Sequence, residues 1–180
     1  MDLTILFSPV DESLYADIHS PSSFFKNIHI FGEKMPDYRG AVLNKGAAAG
    51  PDEVRKKLYN LKKGVGSYRI VDLGNLNVGH DLNETYVRIS EVCRMLMEFN
   101  VLPIIIGGTH DLDYGQYAAY ETMEKLVSLL NVDALLDLDD KKESGESLQH
   151  IHKILMHEPN YLFSYTHLAY QSYLIDPASV

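Results

Sequence analysis

The chain has 180 residues, 46% apolar and 23% charged, which excludes fibrous and disordered classes and sets the size of one domain that buries roughly 70% of its unfolded surface. Lys and Arg number 16 against 25 Asp and Glu, a formal net charge of −9 that disfavours a nucleic-acid or anionic-membrane surface and suits cationic small molecules. One cysteine, Cys93, excludes an intrachain disulfide. With no basic-then-apolar leader and no apolar run near ~18 residues, a cytoplasmic protein that does not cross a membrane is expected.

Residues 3–7 (LTILF) and 27–31 (NIHIF) are short, β-branched and aromatic-rich runs that end at Ser8-Pro9 and Gly32, the pattern of strands. Residues 32–50, rich in Gly, Ala, Asn and Pro, read as a long loop, and long loops inside compact domains tend to be functional. A helix is expected over 50–61, GPDEVRKKLYNL. Pro51 sits where the first turn needs no N–H, Asp52 and Glu53 complement the dipole, and Val54, Leu58 and Leu61 form an apolar stripe. SYRIVDLGN (67–75) reads as a strand, and LNETYVRISEVCRMLMEFN (82–100) as a helix with Leu82, Tyr86, Ile89, Val92, Cys93, Leu96 and Met97 on one face. Cys93 on that face is read as a small buried apolar residue. VLPIIIGG (101–108) predicts a strand, DYGQYAAYETMEK (113–125) a helix and LVSLLNVDALL (126–136) a buried strand. GESLQHIHKILMHEP (145–159) predicts a helix and YLFSYTHLAY (161–170) a final strand.

Continuous apolar strands alternating with amphipathic helices predict a mainly parallel sheet covered on both faces, a three-layer α/β/α sandwich forming a single domain over 1–180. In such sheets ligands gather outside the carboxyl ends of the strands. Three polar clusters qualify: Asp72; His110 with Asp111 and Asp113; and Asp133 with Asp137. Gly107 and Gly108 let the backbone turn sharply before His110, and imidazole with carboxylates suits Mn²⁺ or a similar divalent ion better than thiolate does. Asp111 reads as the N-cap of the helix that follows. The run DLDDKKESGE (137–146) fails as a calcium loop, because Lys142 and Leu148 stand where Gly and a bidentate Glu are needed, and reads as a solvated loop. His150 and His157 share a helix face that His152 does not, so the three read as exposed helix residues rather than a zinc cluster.

Four segments, NKGAAAGPDEVRKKLYNL, IVDLGNL, PIIIGGTHDLDYGQY and NVDALLD, come in the order found in the ureohydrolases, and the chain resembles that family of arginases, agmatinases and formimidoylglutamases. The resemblance implies an arginase-like fold, present mainly as its N-terminal portion. It also implies a binuclear manganese centre whose bridging hydroxide attacks the guanidinium or formimino carbon of a small linear amidine of the arginine, agmatine or formiminoglutamate type. Carried over position by position, His110 takes the place of the family's first metal-binding His, and Asp133 and Asp137 those of the two aspartates of its second motif. Leu135 stands where that motif has a His ligand, and Thr109 and Asp111 replace the acidic residue and serine flanking the first His. The family's last Asp-x-Asp pair would lie past IDPASV, which holds Asp176 alone. Three of the family's six metal ligands are therefore expected, in a chain that is catalytically incomplete, with a non-catalytic interaction or regulatory relative as the second reading. A sheet cut short is expected to leave an edge open to a second copy.

Overall fold

Among the described residues, 7–8, 29–32, 45–61, 70–139, 145–175 and 177, the computed structural model has six strands and four α-helices. The first four strands are β1 (Phe7–Ser8), β2 (His29–Gly32), β3 (Val71–Leu76) and β4 (Pro103–Ile106), in the sheet order β1-β3-β2-β4. In this sheet β2 runs parallel to both β3 and β4, and β1 pairs antiparallel with β3. A second, parallel sheet is made by β5 (Val127–Val132) and β6 (Leu162–Leu168). The mainly parallel α/β character thus agrees with the sequence, but the strands lie in two sheets, because β4 and β5 do not pair with each other among the described residues. The first two residues of the strand expected at 27–31, most of the 32–50 loop, the close of the helix at Lys62–Gly64 and Asp176 lie outside the described residues.

The helices are α1 (Gly50–Leu58), α2 (Leu82–Glu98), α3 (Asp113–Thr122) and α4 (His150–Leu155). Asp81 caps α2 by accepting from the Glu84 N–H at 2.8 Å, and the Glu84 carboxylate accepts in turn from the His80 N–H at 2.6 Å. The face predicted from the 3.6-residue period is the face that is buried: Tyr86, Ile89, Val92, Cys93 and Leu96 pack with Leu76, Val101, Leu112 and Ala119. Burying each of the larger side chains contributes about 1.5–3 kcal/mol. Gly115 lets α3 approach α2, since a Cβ there would lie 2.9 Å from Ile89 Cβ.

Two elements depart from expectation. On α1 the expected stripe is largely solvent-facing, with Val54 42% and Leu61 71% exposed, and the buried residues are Pro51 and Arg55. The cause is an ion pair: Arg55 Nε donates to Asp72 Oδ2 at 2.7 Å and Nη1 to Asn75 Oδ1 at 2.6 Å, which draws a charged residue to the inner side of the helix. The helix expected over 145–159 is instead a 3-10 turn, Glu146–Leu148, followed by the short α4. Asn160 ends it by donating Nδ2 to the Ile154 and Leu155 carbonyls. No helix among the described residues is long and apolar enough to cross a membrane.

Candidate metal centre

The two sheets meet at the carboxyl ends of β4 and β5. After β4, Gly107 and Gly108 take φ values of +98° and +79°, the left-handed region that glycine enters without strain. A Cβ on Gly107 would lie 2.4 Å from Pro51 Cγ, so the first turn of α1 presses directly on this bend. The bend leads into a 3-10 turn, His110–Leu112, that presents the His110 ring. After β5, the Leu135 N–H donates to Asp133 Oδ1 at 3.0 Å and leaves Oδ2 facing His110. Asp137 follows with its backbone in the left-handed region at φ +52°.

His110 Nδ1 lies 3.1 Å from Asp133 Oδ2 and 2.9 Å from Asp137 Oδ2, and one donor atom from each of the three residues falls within 4.8 Å of the others. The Asp137 side chain is fully buried, Asp133 is mostly buried and His110 is half exposed. Asp137 raises the His110 pKa by hydrogen bonding to the ring; burial opposes that effect, the charges of Asp137, Asp133 and Asp113 add to it, and the result is about 9. The donor set fits a divalent cation. Atoms about 2.1 Å from a common ion and 3 Å apart subtend roughly 90°, the angle of octahedral coordination. Asp137 Oδ1, buried without any hydrogen-bond partner, supplies a further oxygen in want of a cation.

A cleft of about 320 Å³ opens over these residues, and Asp113, Gln116, Asn131 and His150 also line it. His150 was expected on an exposed helix face, yet it is only 2% exposed. Its Nδ1 lies 2.9 Å from the Ser147 carbonyl oxygen and 3.6 Å from Asp137 Oδ2, and its ring stands edge-on to that of His110 at 5.8 Å. The signal that could have found it is the apolar face it shares with Ile151 and Ile154, both fully buried. His157 turns instead to Tyr114, with Nδ1 3.1 Å from its hydroxyl oxygen, so the three histidines do not converge.

Two other expectations are corrected. Asp72 does not face the cleft: it is held within β3 by Arg55 and by the Tyr59 hydroxyl. Asp111 does not cap α3, because a 3-10 turn precedes that helix and Leu112 occupies the cap position. Asp111 is 1% exposed and accepts hydrogen bonds from Tyr86 Oη, at 2.7 Å, and from Thr109 Oγ1, tying α2 to the bend that carries His110.

Comparison with known proteins bears on the family and the fold. The family model described as the arginase family matches residues 26–179. The formimidoylglutamase of Salmonella paratyphi A is 30% identical over 152 residues, covering 80% of this chain and 47% of that one. The formimidoylglutamase structure of Bacillus subtilis superposes with a TM-score of 0.73 at 16% identity, over 98% of this chain and 55% of the other. That of Trypanosoma cruzi formiminoglutamase with Mn²⁺ does so with a TM-score of 0.71 at 20% identity, over 98% and 60%. The chain therefore spans about half the length of these relatives. The structural likenesses establish a shared fold, and the family match over most of the sequence makes this chain a member of the arginase family.

Proposed function

We propose that the chain carries the metal-binding part of a ureohydrolase, in which His110, Asp133 and Asp137 hold one divalent cation and the substrate is a small linear amidine or guanidinium compound. The observation that carries this reading is the meeting of an imidazole nitrogen and two carboxylates from two separate strand ends. Manganese is supported by the mixed nitrogen and oxygen donors and by the Mn²⁺ of the Trypanosoma cruzi protein. When bound, the ion supplies Lewis acidity that lowers the pKa of water and polarises the carbon under attack.

The chain's own residues set the geometry for that chemistry. The Gly107-Gly108 bend aims His110, the Leu135 N–H orients Asp133, and burial fixes Asp137. Asp113 adds negative charge to the same cleft and favours a cationic substrate. The Leu135 side chain offers no lone pair where the family's second motif has a His, so this chain alone is catalytically incomplete. The same substitution favours the second reading, a regulatory relative that binds an ion without turnover. The sole cysteine, buried in the core, fits a reducing cytoplasmic setting.

Thermal unfolding with and without Mn²⁺ tests the site. At 100 times the dissociation constant the ion stabilises the fold by about 2.7 kcal/mol. His110→Ala is expected to abolish that gain, and an unchanged melting curve in the parent chain would remove the metal reading. Release of urea or formamide from arginine, agmatine or formiminoglutamate is expected to stay at background for this chain with Mn²⁺, and turnover above background would overturn the incompleteness.

A further inference from the structure

We propose a second cation position in the same cleft, between the Asp113 carboxylate and His150 Nε2. Neither residue belongs to the set that the family resemblance places at its metals. The proposal extends the reading of His110, Asp133 and Asp137 as a cation site, and it stands or falls separately from it.

His150 Nδ1 lies 2.9 Å from the Ser147 carbonyl oxygen, an acceptor, so Nδ1 must carry a hydrogen and donate it. In the neutral ring that leaves the lone pair on Nε2. A histidine that ligates a metal typically has this arrangement, with one ring N–H given to a backbone carbonyl and the other nitrogen free for the ion. Nε2 is buried and has no hydrogen-bond partner, in a residue only 2% exposed that lines the cleft. The group facing it is Asp113 Oδ2 at 3.6 Å, longer than a hydrogen bond. A buried lone pair with a half-exposed carboxylate turned towards it repels that carboxylate unless positive charge lies between them.

The spacing suits a shared ion. Two donor atoms each about 2.1 Å from one cation and 3.6 Å apart subtend roughly 120°, close to the tetrahedral geometry of zinc. Asp113 reaches this position because it is the first residue of α3, directly after the turn that presents His110, and its side chain is half exposed towards the cleft. His150 reaches it because the 3-10 turn Glu146–Leu148 brings the start of α4 against that turn. Imidazole and carboxylate are donors that zinc accepts, and water completes its shell. With two protein donors, this position binds more weakly than the one formed by His110, Asp133 and Asp137.

Calorimetric titration of the chain with Zn²⁺, together with three variants, tests the assignment. The parent chain is expected to bind two ions of unequal affinity. Asp113→Asn, at a half-exposed side chain, keeps the fold and loses the weaker ion, leaving one; His150→Gln does the same if it folds. His110→Ala loses the tighter ion and keeps the weaker. A parent chain that binds a single ion retained in Asp113→Asn overturns the proposal, and two ions retained in Asp113→Asn overturn it equally. A single ion that is lost in Asp113→Asn but kept in His110→Ala supports this site and instead removes the reading of His110, Asp133 and Asp137.

Discussion

Asp137 holds its place through its backbone as well as its side chain. At φ +52° it occupies a conformation that costs a non-glycine residue of order 1 kcal/mol, which aspartate tolerates better than most. The geometry turns a fully buried carboxylate towards the His110 ring. His110 in turn gains acidic partners on folding, and its pKa rises from 6.5 to about 9 in the metal-free protein. A group whose folded-state pKa is raised binds more protons when folded, so the stability it adds is present in full below pH 6.5 and is lost as pH rises through 9. Denaturation midpoints of the metal-free chain are therefore expected to fall across that interval, and the fall should vanish in His110→Ala. Ion and proton compete for the same nitrogen, so apparent Mn²⁺ affinity should rise over the same interval. At this scale the strand-end placement of His110, Asp133 and Asp137 was legible from the runs that precede them, while their choice as a donor set came from the family resemblance, since 23 positions separate His110 from Asp133. It hid His150, whose exposure depends on which turn α4 packs against.

Between elements, the contact that most directly shapes the site is the clamp of α1 on β3. Arg55 and Asp72, each about 2% exposed, meet at 2.7 Å, and the same helix carries Pro51 against Gly107. Removing one partner of a buried pair leaves an uncompensated charge, so Asp72→Ala is expected to cost about 3–5 kcal/mol in chemical denaturation. Replacing the exposed Glu53 of the Lys56–Glu53 pair should leave the midpoint in place, which makes it the control. The start of α1 was legible from Pro51 and its acidic first turn. Its inner face was not, because hydrophobic periodicity counts an arginine as outward, while an ion pair with a residue 17 positions away turns it inward. The α2 face followed its period closely because apolar burial alone decided it.

Across the whole molecule, continuous apolar runs marked β4 and β5 as strands of a parallel sheet, and so they are. Pattern alone does not say which strands lie beside one another, and here each is paired along one side among the described residues. Leu130 and Val132 of β5 and Leu168 of β6 stay exposed at 59%, 66% and 49%. The candidate metal donors straddle this division, since His110 follows β4 and the two aspartates follow β5. Hydrogen exchange is expected to slow throughout Val127–Val132 and Leu162–Leu168 when Mn²⁺ is added, well beyond the donor residues, and to stay unchanged in His110→Ala.

The straddled site also makes ion size a measure of shape. One donor hangs from the four-stranded sheet and two from the two-stranded sheet, so the span between donors is also the gap between two sheets that share no strand pairing among the described residues. A smaller ion draws the sheets together and a larger one holds them apart, and the ranking of divalent ions by affinity then reads out the gap at which the sheets rest.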